Sequence, residues 1–196
     1  MSDIRSAREI AMEKIEKLGA ATEDERLRWK YVPEGEKLAV KALKEDLDIA
    51  SELDKYEEKA RKYIVSAASE ILIKNITLAQ DDSARLNNER AMSAIKELKE
   101  DKETAENILS KMRRVFSHYS EQGEQQRMQA YESLKTEFEV KMQQALQQQM
   151  GSSMNINIDV EKQPQFQEEW HKLKSQLDSQ YPLLLNEYKQ ELMAID

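Results

Sequence analysis

From Glu36 to Gln122 the chain contains neither glycine nor proline, and its apolar residues keep helical spacing throughout. A β-rich fold needs a turn signal about every 8–12 residues, so this stretch has no punctuation for one. As a single straight helix the run would extend roughly 130 Å, at about 1.5 Å per residue. Two helices joined near Gln80-Asp81-Asp82-Ser83 is the alternative, because Asp and Ser are favoured N-caps; without breaker residues both readings stand. The rest of the chain agrees in kind. Only four glycines and three prolines occur in 196 residues, with 35% charged and 6% aromatic residues. That balance suits long helices that each bury one stripe and expose the remainder. The expected fold class is all-α, an elongated bundle of long heptad-patterned helices with one short β segment near 154–161.

The second half of the run carries the clearest pattern. Ala84, Asn88, Ala91, Ile95, Leu98, Lys102, Ala105, Leu109, Met112, Phe116 and Tyr119 follow one another at alternating steps of four and three. Such a heptad seam marks helix pairing and a left-handed supercoil. Asn88 and Lys102 interrupt it, as polar residues that fix register do. Over Tyr63–Ala79 the apolar residues instead cover most of the helix circumference, leaving a polar stripe of Ser66, Glu70 and Lys74. The centre of the core is expected there.

The flanking segments read as follows. Ile4, Ala7, Ala11, Ile15 and Leu18 predict a first helix that stops at Gly19. In the connector 19–35, Thr22-x-x-Glu25 is a capping box that favours a helix, whereas the alternation Leu27-Arg28-Trp29-Lys30-Tyr31 favours a strand. Pro33-Glu34-Gly35 is expected to turn in either case. After Gly123 a helix runs to Met150, with Tyr131, Leu134, Phe138, Met142 and Ala145 on one face and a glutamine-rich end. Pro164 starts a helix presenting Phe166, Trp170, Leu173 and Leu177, and Pro182 breaks or kinks it before a last stripe of Leu185, Tyr188, Leu192 and Ile195. Two regions are expected: 1–150 as a long-helix bundle or coiled coil, and 151–196 as a strand with a helical hairpin.

Between them, Met154-Asn155-Ile156-Asn157-Ile158-Asp159-Val160-Glu161 alternates strictly, which is a strand signal. A lone strand leaves its backbone groups unpaired. Met154, Ile156, Ile158 and Val160 are therefore candidate strand-pairing positions. The partner strand is Leu27–Val32, a second copy of the chain, or an extended segment of another protein; a linker that alternates by chance is the fourth reading.

Chemistry-bearing patterns are sparse. A net charge of −8 and a pI near 5.1 argue against nucleic acid as the main partner. Cysteine is absent, which removes disulfides, thiolate nucleophiles and the common zinc sites. Glu168-x-x-His171 has the spacing of helical di-iron ligands, but His118 supplies no second copy of the motif, so both histidines read as surface positions. No phosphate loop or nucleophile elbow occurs. No cofactor, metal or catalytic residue is expected. Trp29 and Trp170 read first as core packing and second as exposed anchors for a partner. The polar start Met1–Ile10 and the charged residues within the apolar run predict a cytoplasmic protein that does not engage membranes.

Two blocks carry a resemblance: Ile4-Arg5-Ser6-Ala7-Arg8-Glu9-Ile10-Ala11-Met12-Glu13-Lys14 and Arg28-Trp29-Lys30-Tyr31-Val32-Pro33-Glu34-Gly35. With the order of helices, they resemble a group of uncharacterised bacterial all-helical proteins, a resemblance that implies no activity and no functional residues. A looser similarity is to prefoldin-type chaperones, which join long helices through short strands; this chain differs in its further helices and single strand signal. The resulting expectation is a non-enzymatic helical scaffold or adaptor that pairs helices with protein partners and forms a homo-oligomer. The alternative is a client-binding chaperone of prefoldin type.

Overall fold

The structure is a computed structural model that describes residues 21–79, 81–150 and 159–195. The α-helices are α1 (Glu23–Lys44), α2 (Ile49–Leu53), α3 (Glu58–Asn75), α4 (Asp82–Leu98), α5 (Lys102–Ser120), α6 (Gln122–Met150), α7 (Pro164–Asp178) and α8 (Gln180–Met193), with a 3-10 turn at Val160–Lys162. The fold is all-α, and no strand occurs among the described residues. The chain divides into two compact units, one made of residues 1–75 and 89–98, the other of 76–88 and 99–196. Both sides of residue 150 thus belong to the second unit.

In the first unit, α1 starts at a complete capping box. The Thr22 backbone N–H donates to Glu25 at 2.8 Å, and the Glu25 N–H donates to the Thr22 hydroxyl at 3.2 Å. Glu23, Asp24 and Glu25 add negative charge to the first turn, which the helix dipole favours. These local terms decide the ambiguous connector: Leu27–Val32 is helix, and the strand reading is overturned. The turn expected at Pro33-Glu34-Gly35 is also absent, because α1 runs through it. Pro33 removes one bond to the Trp29 carbonyl, but Pro33 is exposed and the helical face continues as Leu27, Tyr31, Gly35, Leu38 and Ala42. Of these, Gly35, Leu38 and Ala42 are buried.

That face lies against Ala60, Ile64, Ala67, Ala68 and Leu72, the buried side of α3. The absence of a Cβ at Gly35 allows the approach, since one placed there would lie 2.4 Å from the Ile64 carbonyl oxygen. Ser66, Glu70 and Lys74 form the exposed stripe of α3, and its buried residues include the 0% exposed Ile64, Ala68, Leu72 and Ile73. Residues 89–98 join this unit through polar ties to the end of α1 and the start of α2. The Arg90 guanidinium donates to the Leu43 and Lys44 carbonyls at 3.1 and 2.9 Å, and Glu97 accepts from the Ile49 N–H at 3.3 Å.

In the second unit, α6 and α7 run antiparallel. Tyr131 meets Phe166 and Trp170 edge-on at 5.4 and 5.0 Å, and Phe138 meets Phe166 at 5.5 Å. Ion pairs flank the aromatic contacts: Arg127 with Asp178 at 2.8 Å and Lys135 with Glu161 at 2.6 Å. A second cluster joins α5 to α8 through Val115, Tyr119 and Tyr181, with Leu78 and Tyr188 packed against it.

The unbroken run 36–122 is neither one helix nor two. It breaks near 45–48, 54–57, 76–81 and 99–101, each time without glycine or proline. Aspartates start three of the four new helices instead; α3 follows Glu57. Asp48 accepts from the Ser51 N–H at 3.1 Å and from its hydroxyl at 2.6 Å; Asp101 accepts from the Thr104 N–H at 2.9 Å and its hydroxyl at 2.6 Å. Asp81 accepts from the Ala84 N–H at 2.8 Å. An aspartate cap satisfies the free N–H groups of a new first turn, so the chain can stop and restart with no flexible residue.

The expected β segment is corrected where it can be seen. Val160 is 2% exposed and opens the 3-10 turn, which donates Gln163 N–H to the Val160 carbonyl at 3.0 Å. Turn and anchor replace strand pairing because Pro164 begins α7 directly afterwards. Met154, Ile156 and Ile158 lie outside the described residues, as does the helix expected over Ile4–Leu18.

Candidate functional site

The heptad seam is divided by the break at 99–101. Ala84 is half-buried; Asn88, Ala91, Ile95 and Leu98 are buried on α4. Lys102 is exposed at the first position of α5, after which Ala105, Leu109, Met112 and Tyr119 are buried and Phe116 is half-buried. The phase of the repeat continues across a gap in the helix. Asn88 has a particular task. Its side chain accepts from the Thr77 N–H at 3.0 Å and donates to the Thr77 carbonyl at 2.7 Å, so it holds the segment before α4 rather than a facing helix. The seam is therefore consumed within the chain, part in each unit.

The Glu168–His171 pair is dispersed on the surface. Glu168 pairs with Lys172 at 2.8 Å, which holds its carboxyl below the usual range, and His171 is exposed. His118 Nδ1 lies 2.8 Å from the hydroxyl of buried Tyr181. Burial pushes the Tyr181 phenol up. No group of three metal-ligating side chains occurs among the described residues.

The tryptophans part company. Trp29 is 66% exposed, so the core reading fails for it. It shares a stripe of α1 with exposed Pro33 and Val40, opposite the face that meets α3. Trp170 is half-buried and borders a cavity of about 440 Å³ within the second unit. The apolar part of its wall comes from Tyr119, Met128, Tyr131 and Trp170, while Arg85, Arg127, Lys174 and Glu124 supply the charge.

Arg127 organises this wall. Its side chain is 12% exposed and lies 4.3 Å above the Tyr119 ring. It donates to Asp178 at 2.8 Å and to the Tyr119 carbonyl at 3.1 Å, and Glu124 lies 3.5 Å away. One guanidinium thus ties the end of α5 and the start of α6 to the end of α7, and it satisfies a carbonyl that the helix end leaves free. Gly123 keeps this corner tight, since a Cβ there would sit 2.8 Å from the Tyr181 hydroxyl. None of this was visible in the sequence. The residues come from four separated segments, and only the aromatic faces of α6 and α7 left a signal.

Residues 50–194 match the model of a family of unknown function, DUF6657, and the chain belongs to that family. The match takes in α3 to α8 and excludes α1. No curated protein and no solved structure matches the chain.

Proposed function

We propose that the chain is a non-enzymatic helical scaffold or adaptor that acts in the cytoplasm through helix pairing, including pairing with its own copies. The observation that carries this reading is the outer stripe of α1. Trp29 at 66% exposure and Val40 at 45% stand on a helix whose opposite face is already buried. Tryptophan is enriched among residues that dominate binding energy, because it desolvates a large area at little entropic cost. The heptad seam serves the interior, so a partner helix is received on α1. Among the described residues no helix is long and apolar enough to cross a membrane.

Cross-linking pull-down and light scattering on the full chain test the reading. Trp29→Ala is expected to lose the partner or the oligomer while its unfolding temperature stays unchanged, since an exposed side chain contributes little to folding. A wild-type chain that is a monodisperse monomer and recovers no partner overturns the proposal. Suppressed aggregation of unrelated unfolded proteins, with no defined complex, would favour the client-binding chaperone instead.

A further inference from the structure

The cations around the cavity of the second unit are not all used by the fold. Arg127 is: Asp178, Glu124, the Tyr119 carbonyl and the Tyr119 ring account for its guanidinium. Among the described residues, Arg85 meets only Asp82, itself fully solvated, at 3.5 Å. Lys174 has no carboxylate within ion-pair distance among the described residues. Elsewhere in the same unit Lys135, Lys162 and Lys172 find carboxylates at 2.6, 2.7 and 2.8 Å. The chain as a whole carries −8, yet two under-used positive charges open into one space.

That space also has aromatic walls. Tyr131 and Trp170 stand edge to face at 5.0 Å, and Met128, 62% exposed, adds a polarisable thioether. A volume of about 440 Å³ falls within the range of small-molecule sites, about 300–1,000 Å³. Cation and ring together select the ligand class. A bare inorganic anion would leave the aromatic wall wet, and a neutral ring would leave both cations unanswered.

We propose that this cavity binds a small organic anion carrying an aromatic ring, with its carboxylate or phosphate held by Arg85 and Lys174 and its ring against Tyr131 and Trp170. The site does not depend on the adaptor reading, because Trp29 belongs to the other unit. Free aromatic acids and nucleotides share this chemistry, and the experiment separates them.

The full chain labelled with nitrogen-15 gives one indole N–H resonance for each of its two tryptophans, assigned with Trp29→Phe. Indole-3-acetate and adenosine monophosphate are titrated separately, with adenosine and inorganic phosphate as controls. A saturating shift of the Trp170 resonance by either aromatic anion, with Trp29 unmoved, is the expected result. Which of the two binds identifies the source. Arg85→Gln with Lys174→Gln is expected to weaken binding at least about tenfold, since charge-assisted bonds to both are lost. Both side chains are exposed and outside the core, so the unfolding temperature of this double variant should not change. Absence of a saturating Trp170 shift with both anions overturns the site. Equal affinity for adenosine, for phosphate alone or in the double variant overturns the assignment of ligand class.

Discussion

An alanine methyl at position 35 would meet atoms that have nowhere to go. It would lie 2.4 Å from the Ile64 carbonyl oxygen, 3.0 Å from the Ile64 Cα and 2.9 Å from the Ala67 Cβ. Two of these are backbone atoms in the middle of α3, so relief requires the two helices to separate. Overpacking of this kind costs about 1–3 kcal/mol. It outweighs the roughly 1 kcal/mol that alanine gains over glycine inside a helix, and it also opens the Leu38–Ala42 face. Gly35→Ala is therefore expected to lose roughly 2 kcal/mol in chemical denaturation. Gly123→Ala is the internal comparison. Its nearest neighbours are the Tyr181 hydroxyl at 2.8 Å and the Arg127 guanidinium at 3.1 Å, the far ends of side chains that can shift. Its loss should be smaller. Equal losses would show that helix separation at Gly35 is not what limits the first unit.

At the scale of elements, the aspartate caps make the helix starts sensitive to acid. The Thr104 hydroxyl and then its backbone N–H hold the Asp101 carboxyl below its ordinary value, and Ser51 does the same for Asp48. A carboxyl with a folded pKa below its unfolded value of about 3.9 adds stability that is complete above that value. That stability is lost as pH falls through the folded pKa, because protonation removes the acceptor charge. Lowering the pH below about 4 should thus fray the starts of α2 and α5, read as faster amide exchange at Thr104. Asp101→Asn keeps an acceptor at the cap but cannot titrate. It should start with a slightly lower unfolding temperature and lose less on acidification; an unchanged acid response would remove Asp101 from the cause. These caps also explain what the sequence made legible. Helical character, the burial of Ile64, Ala68 and Leu72 and the aromatic faces of α6 and α7 follow from spacing alone. The breaks do not, because Leu98, Lys102 and Ala105 keep heptad phase across the gap. Asp48-x-x-Ser51 and Asp101-x-x-Thr104 were the available signal, and periodicity overrode it. Pro33 and Gly35 misled in the opposite direction, since a capping box upstream and a close-packed neighbour kept both inside a helix. The cavity was out of reach, as nothing local links Arg85 to Lys174.

At the scale of the whole molecule, the family span and the division into units do not coincide. The family begins at residue 50, so α1 lies outside it, yet α1 covers the buried side of α3. The second unit has its own aromatic clusters and its Arg127–Asp178 tie, and it draws no residue from before position 76. Removal of residues 1–48 should therefore act unequally. Ile64, Ala67, Ala68 and Leu72 would face water on α3, and burying a side chain of leucine or isoleucine size is worth about 1.5–3 kcal/mol. Exposing Ile64 and Leu72 alone, at about 3–6 kcal/mol together, removes a large share of a total of about 5–15 kcal/mol. Hydrogen exchange on the truncated chain is expected to show protection lost over 58–75 and 89–98 but kept over 102–120 and 164–193. Loss of protection in the α5 and α8 segments as well would mean that the second unit needs α1, and that the two cores are not energetically separate. Retained protection in α3 together with a shift to dimer would have a different meaning. The bared face would then be accepting a helix from a second copy, the pairing that the scaffold reading assigns to this chain.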